Sequence, residues 1–158
     1  MTYMDRTFSA MASGRPAMAA RCEPRELLVM VIEDEVGLSE AFRSVCECLD
    51  VAVVRITSQD DIGAMLRKHR PMAVVAELES AGQDGCYVLM TVAKYDHDLP
   101  VLMMTGEDPT LLGAVDAVEE IWELSSVDKW PELLGVGAVV DFLFRAGRKG
   151  NCMRLMSI

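Results

Sequence analysis

Five short apolar runs divide the chain, alternating with longer segments of helical period. The runs are LLVMVI (Leu27–Ile32), VAVVRI (Val51–Ile56), MAVVAEL (Met72–Leu78), PVLMMT (Pro100–Thr105) and VVDFLF (Val139–Phe144). Most lack polar alternation, the pattern of parallel strands covered on both faces. Between them, Leu38, Phe42, Val45 and Leu49 fall four, three and four residues apart, one stripe of an amphipathic helix, and Leu111, Val115, Val118 and Trp122 repeat that spacing. Ile62, Met65 and Leu66 start another stripe, and Leu89, Val92 and Ala93 one more. This alternation predicts an α/β fold with a five-stranded parallel sheet, right-handed crossovers and helices on both faces. Functional groups then belong at the carboxyl ends of the strands.

At 158 residues and 51% hydrophobic content, the chain suits one domain with a single substantial core. The segment Met1–Glu26, rich in Ala, Met, Ser and Arg, reads as a disordered tail, and Leu27–Ile158 as the folded domain. A formal net charge of −10 disfavours nucleic acid and anionic lipid, although Arg145, Arg148, Lys149 and Arg154 form a local basic group. No apolar run approaches the ~20 residues of a membrane span. The five cysteines form no CxxC pair, as expected for reduced thiols in the cytoplasm. The default partner is another protein.

The predicted strand ends carry the candidate chemistry. The first closes on Glu33, Asp34 and Glu35, the third on Glu77, the fourth on Thr105 and the fifth on Arg145. A solvated loop residue or a helix cap accounts for any one alone, Asp34 before VGLSEAF being an example. Together they bring acids, a hydroxyl and a cation to one rim. A buried unpaired carboxylate costs several kcal/mol or takes up a proton, so Glu77, placed straight after VVA, calls for charged neighbours.

From Leu27 to Arg145 the sequence resembles the response-regulator receiver domains of two-component signalling. VIEDE matches the acidic pair ending that family's first strand, PMAVVAELESAGQDG its acceptor strand and loop, VLMMTG its Thr strand, and GAVVDFLFRA its last strand. The resemblance implies a flavodoxin-like (βα)5 three-layer fold with strand order 2-1-3-4-5. It also implies an acidic pocket at Glu33 and Asp34, a phosphoacceptor position at Glu77, and switch positions at Thr105 and Phe142, the latter equally a plain core residue. Arg145 takes the place of the family's lysine, and Ala146 that of the proline usually following it.

Two departures matter. Glu77 stands where the family has Asp, and its extra methylene displaces the nucleophilic oxygen by roughly 1.5 Å. Arg145 offers a planar fork suited to bidentate pairing with Glu77. Glu33, Asp34 and Glu77 retain three carboxylates for weak Mg²⁺ binding, and no other cofactor is expected. Residues 106–136 exceed the family's spacing and read as a lengthened fourth helix or insertion, with Trp130, Leu133 and Leu134 as an exposed homodimer or partner contact.

The implied function is an atypical, non-enzymatic receiver that signals by binding a histidine kinase, regulator or output protein, independently of phosphorylation. A working phosphoacceptor receiver in a phosphorelay is the first alternative. A Mg²⁺-dependent hydrolase or flavodoxin-like ligand binder is the second, weakened by the lack of a Gly-rich phosphate loop and of a general base beyond the peripheral His69 and His97.

Overall fold

The structure is a computed structural model and describes residues 25–77, 85–107 and 109–150. The expected tail before Arg25, the loop after Glu77 and residues 151–158 lie outside the described residues. The elements are β1 (Glu26–Ile32), α1 (Leu38–Cys48), β2 (Ala52–Ile56), α2 (Ile62–His69), β3 (Pro71–Glu77), α3 (Gly85–Tyr95), β4 (Val101–Met104), α4 (Pro109–Ile121), β5 (Val127–Trp130) and α5 (Val136–Lys149). All strand pairs are parallel, in the order β2-β1-β3-β4-β5. The expected order is therefore the observed one.

Period-two alternation along the strands splits the core into two layers. Val29 and Val31 of β1, with Ala73 and Val75 of β3, face α1 and α5, where they meet Phe42, Cys46, Val139, Phe142, Leu143 and Ala146. Met30, Ile32, Val74 and Ala76 face the opposite layer, against Ile62, Leu66, Val88, Leu89, Val92 and Val115 of α2, α3 and α4. Most of these side chains are fully buried, and each Val, Leu, Ile, Met or Phe among them stabilises the fold by about 1.5–3 kcal/mol relative to exposure.

The expected fifth strand is a helix. Val139–Phe144 lies inside α5, whose buried residues Val139, Phe142, Leu143 and Ala146 follow a helical spacing. The strand in the fifth position is VDKW, inside the segment read as an insertion. Residues 106–136 thus hold an ordinary α4 of thirteen residues and β5, with no insertion between them. The last helix among the described residues, α5, is fourteen residues long.

Cys46 is fully buried and Cys48 is exposed, as expected for residues two apart on one helix. Burial pushes the Cys46 thiol up from 9.0 to about 11. Alkylation of the native protein should therefore label Cys48 and spare Cys46 until the chain unfolds, as peptide mapping by mass spectrometry would show. The folded-state value lies above the unfolded one, so the stabilisation from keeping this thiol neutral is complete below 9.0 and is lost as the pH rises to about 11.

Candidate functional site

The carboxyl ends of β3 and β4, the start of α1 and the segment after β5 surround a cleft of about 380 Å³, bordered by Leu38 and Ala41 of α1, Glu77, Met104, Pro131 and Leu133. Gly106, also on its wall, has φ 65°, a left-handed turn that glycine adopts without a Cβ clash and that directs the chain away from the end of β4. Glu77 closes β3 as its one exposed residue, with Glu132 across the cleft.

Glu33 is fully buried. Its carboxylate accepts the backbone N–H groups of Leu38 at 2.8 Å and Ser39 at 3.1 Å, the Ser39 hydroxyl, and Arg55 Nε at 3.2 Å. The residue before α1, Gly37, has no side chain to cap the first turn. Glu33 does this from the end of β1, satisfying helix N–H groups that would otherwise lack partners and placing negative charge at the positive end of the helix dipole. Three of these donors converge on Oε2 and one on Oε1, so both carboxylate oxygens are held by the protein.

Asp34 is engaged with the neighbouring loop. Its carboxylate accepts Ser58 N–H at 2.9 Å and Ser58 Oγ–H at 3.0 Å, while its backbone carbonyl accepts Arg55 Nη2 at 2.9 Å. Arg55, in the middle of an apolar strand, thus joins both members of the acidic pair to β2. It is the principal site residue that the sequence reading missed. A lone Arg in VAVVRI, like an acid straight after VVA, sits where only an opposite charge makes it tolerable.

These residues do not fit a divalent cation. Hard cations take oxygen ligands converging on one point, carboxylates foremost among the charged ones, and among the described residues no group of three His, Cys, Asp or Glu side chains is arranged to hold a metal ion. Both Glu33 carboxylate oxygens are engaged by α1 or Arg55, the Asp34 carboxylate turns to Ser58, and a guanidinium already supplies positive charge between β1 and β2.

At the fourth position Thr105 is fully buried. Its N–H donates to the Trp130 carbonyl at 2.8 Å, and its Oγ lies 3.1 Å from the Gly106 carbonyl oxygen and 3.3 Å from that of Trp130. The hydroxyl thus ties the end of β4 to the end of β5.

Arg145, expected at the rim opposite Glu77, lies on α5 because its segment is helical. Its guanidinium donates to Asp128 at 3.0 Å and to Asp141, one turn earlier, at 3.1 Å, so the Glu77–Arg145 pair is not formed. The hydrogen bond it donates to Asp128 holds its pKa above the usual value. Both pairs are exposed enough to contribute little. Phe142 also belongs to α5 and not to the fifth strand, and it is a core residue.

The strand that does occupy the fifth position ends in Lys129-Trp130-Pro131. Trp130, directly before the proline, takes the place where the receiver pattern has lysine. It is not an exposed contact: at 8% exposure its indole packs into the α1–α5 layer, edge-on to Phe142 with ring centroids 6.5 Å apart. Lys129 faces the other side and bonds Asp116 and Glu119, each at 2.8 Å. Partial burial works against its charge, but these two hydrogen bonds outweigh it and hold the Lys129 pKa above its usual value. Leu133 and Leu134, at 39% and 41%, are exposed beside the cleft as expected.

No family model matches the chain. It is 30% identical over 102 residues to the C4-dicarboxylate transport transcriptional regulatory protein DctD of Pseudomonas aeruginosa, covering 58% of the chain and 21% of that protein. The chain thus spans about a fifth of this relative's length. The signal receiver domain of a response regulator from Bermanella marisrubri superimposes with a TM-score of 0.62 at 16% identity, over 77% of the chain and 98% of that structure. The chemotaxis response regulator CheY4 of Vibrio cholerae gives 0.61 at 14% identity, again over 77% and 98%. Strand order, helix placement and these superpositions agree that the chain has the fold of response-regulator receiver domains.

Proposed function

We propose that the chain is an atypical receiver module that signals by binding other proteins, without enzymatic activity of its own and without accepting phosphate at Glu77. The observation that carries this reading is Trp130 at the end of β5. Phosphoryl transfer depends on cations that neutralise charge on the moving group. The β5 position that would supply one holds an indole turned into the core, and Lys129 is committed to α4. Glu in place of Asp at position 77 and the engagement of Glu33 by α1 and Arg55 support the same reading.

The binding surface in this reading is the β5–α5 loop. Leu133, Leu134 and Val136 are exposed there, beside a cleft whose charged wall residues are both acidic, Glu77 and Glu132. A kinase, a regulator, an output protein or a second copy of the chain, meeting it in the cytoplasm, would contact this loop without Trp130. No described helix is long and apolar enough to cross a membrane.

Intact-mass spectrometry after incubation with acetyl phosphate and Mg²⁺ tests the proposal. The wild-type protein should gain no phosphoryl adduct, and Glu77→Asp alone should gain none either, because Trp130 still withholds the cation. A stoichiometric adduct on wild-type Glu77 would overturn it.

A further inference from the structure

The acidic end of the sheet contains its own positive charge. Arg55 extends from β2, donates from Nε to the fully buried Glu33 at 3.2 Å and from Nη2 to the Asp34 carbonyl at 2.9 Å, and is itself largely covered at 28% side-chain exposure. Glu33 also accepts three hydrogen bonds from Leu38 and Ser39 at the start of α1, and both carboxylate oxygens of Asp34 go to Ser58.

We infer that the Arg55 guanidinium is a tethered stand-in for the divalent cation that an acidic pair at this place in the fold would otherwise bind, making this end of the protein indifferent to Mg²⁺. A charge fixed to β2 is present at every metal concentration, so a dissolved cation would have to displace it and break bonds to two consecutive residues. A mobile divalent ion would link the β1–α1 loop only when bound. Arg55 links it to β2 permanently. This goes beyond the phosphorylation reading, because a receiver that cannot hold phosphate could still bind Mg²⁺.

The experiment uses the full chain as wild type, Arg55→Lys and Arg55→Met. Mn²⁺ binding is read by electron paramagnetic resonance, and Tm is measured with Mg²⁺ or Mn²⁺ against NaCl of matched ionic strength. The wild type should show neither Mn²⁺ binding at millimolar concentration nor a metal-dependent rise in Tm, and Arg55→Lys should behave similarly because a cation is kept. Arg55→Met should bind Mn²⁺ about tenfold or more tighter than wild type, a change of the size that partners of metal ligands exert, and its Tm should rise with metal. Metal binding by the wild type at millimolar concentration, or a folded Arg55→Met that gains none, overturns the inference. If Arg55→Met does not fold, the wild-type and Arg55→Lys measurements decide the question. Metal binding without a phosphoryl adduct would overturn this inference and leave the proposed function standing, whereas an adduct would overturn that function whatever the metal response.

Discussion

Trp130→Ala should destabilise the protein by about 3–5 kcal/mol, the range for deleting a large buried aromatic. In a chain of this size, about 2–4 °C of Tm accompanies each kcal/mol, so a fall on the order of 10 °C is expected. The indole sits at the join of β5, β4 and α5, in one cluster with Leu102, Val139, Phe142 and Leu143. Circular dichroism during heating is the direct measurement. A surface anchor would behave differently, shifting the oligomeric state at unchanged Tm. Trp130→Phe should retain more than half of the lost stability, since it keeps a ring facing Phe142.

Arg55→Met should have a loss of similar size for another reason. Glu33 is fully buried, and removing its ion-pair partner leaves a carboxylate neither solvated nor neutralised, a change that typically costs about 3–5 kcal/mol. Chemical denaturation of wild type, Arg55→Met, Glu33→Gln and the double variant would give a coupling energy. A value above about 1 kcal/mol would set this pair apart from exposed ion pairs such as Arg145–Asp141. A coupling near zero would mean that Ser39 and the start of α1 hold Glu33 without help.

Both predictions concern residues whose roles the amino-acid pattern disguised. Strands β1 to β4 and helices α1 to α4 were legible because a strand covered on both faces is a continuous apolar run and a helix covered on one face is a stripe. The rule failed at the sheet edge. VDKW has two charged residues in four, yet it is a strand, because Asp128 and Lys129 find partners on α5 and α4. VVDFLF looks more strand-like, but its buried residues Val139, Phe142 and Leu143, with Ala146 beyond, lie on one side of a helix. Misplacing β5 moved every expectation tied to it: the lysine position, the aromatic switch and the insertion. Glu33, Asp34, Glu77 and Thr105 were read correctly as strand-end residues, since their strands were right. What each carboxylate does depends on Arg55, Ser39 and Ser58, which come from other segments and which no local spacing connects to them.

The distribution of charge across the sheet limits how this protein can associate. The three inner strands carry charge only at their first or last residue, Glu26 and Glu77, whereas Arg55, Asp128 and Lys129 all lie within the two outermost strands. An outer strand offers an unpaired backbone ladder to any passing chain, and charged side chains along it are a common defence against unwanted pairing. Here the defence is reinforced, since each of these charges is held by an ion pair or charge-assisted bond that an incoming strand would have to disturb. Growth of the sheet into a ribbon shared between molecules is thus opposed at both ends, which favours approach of a partner through helices and loops.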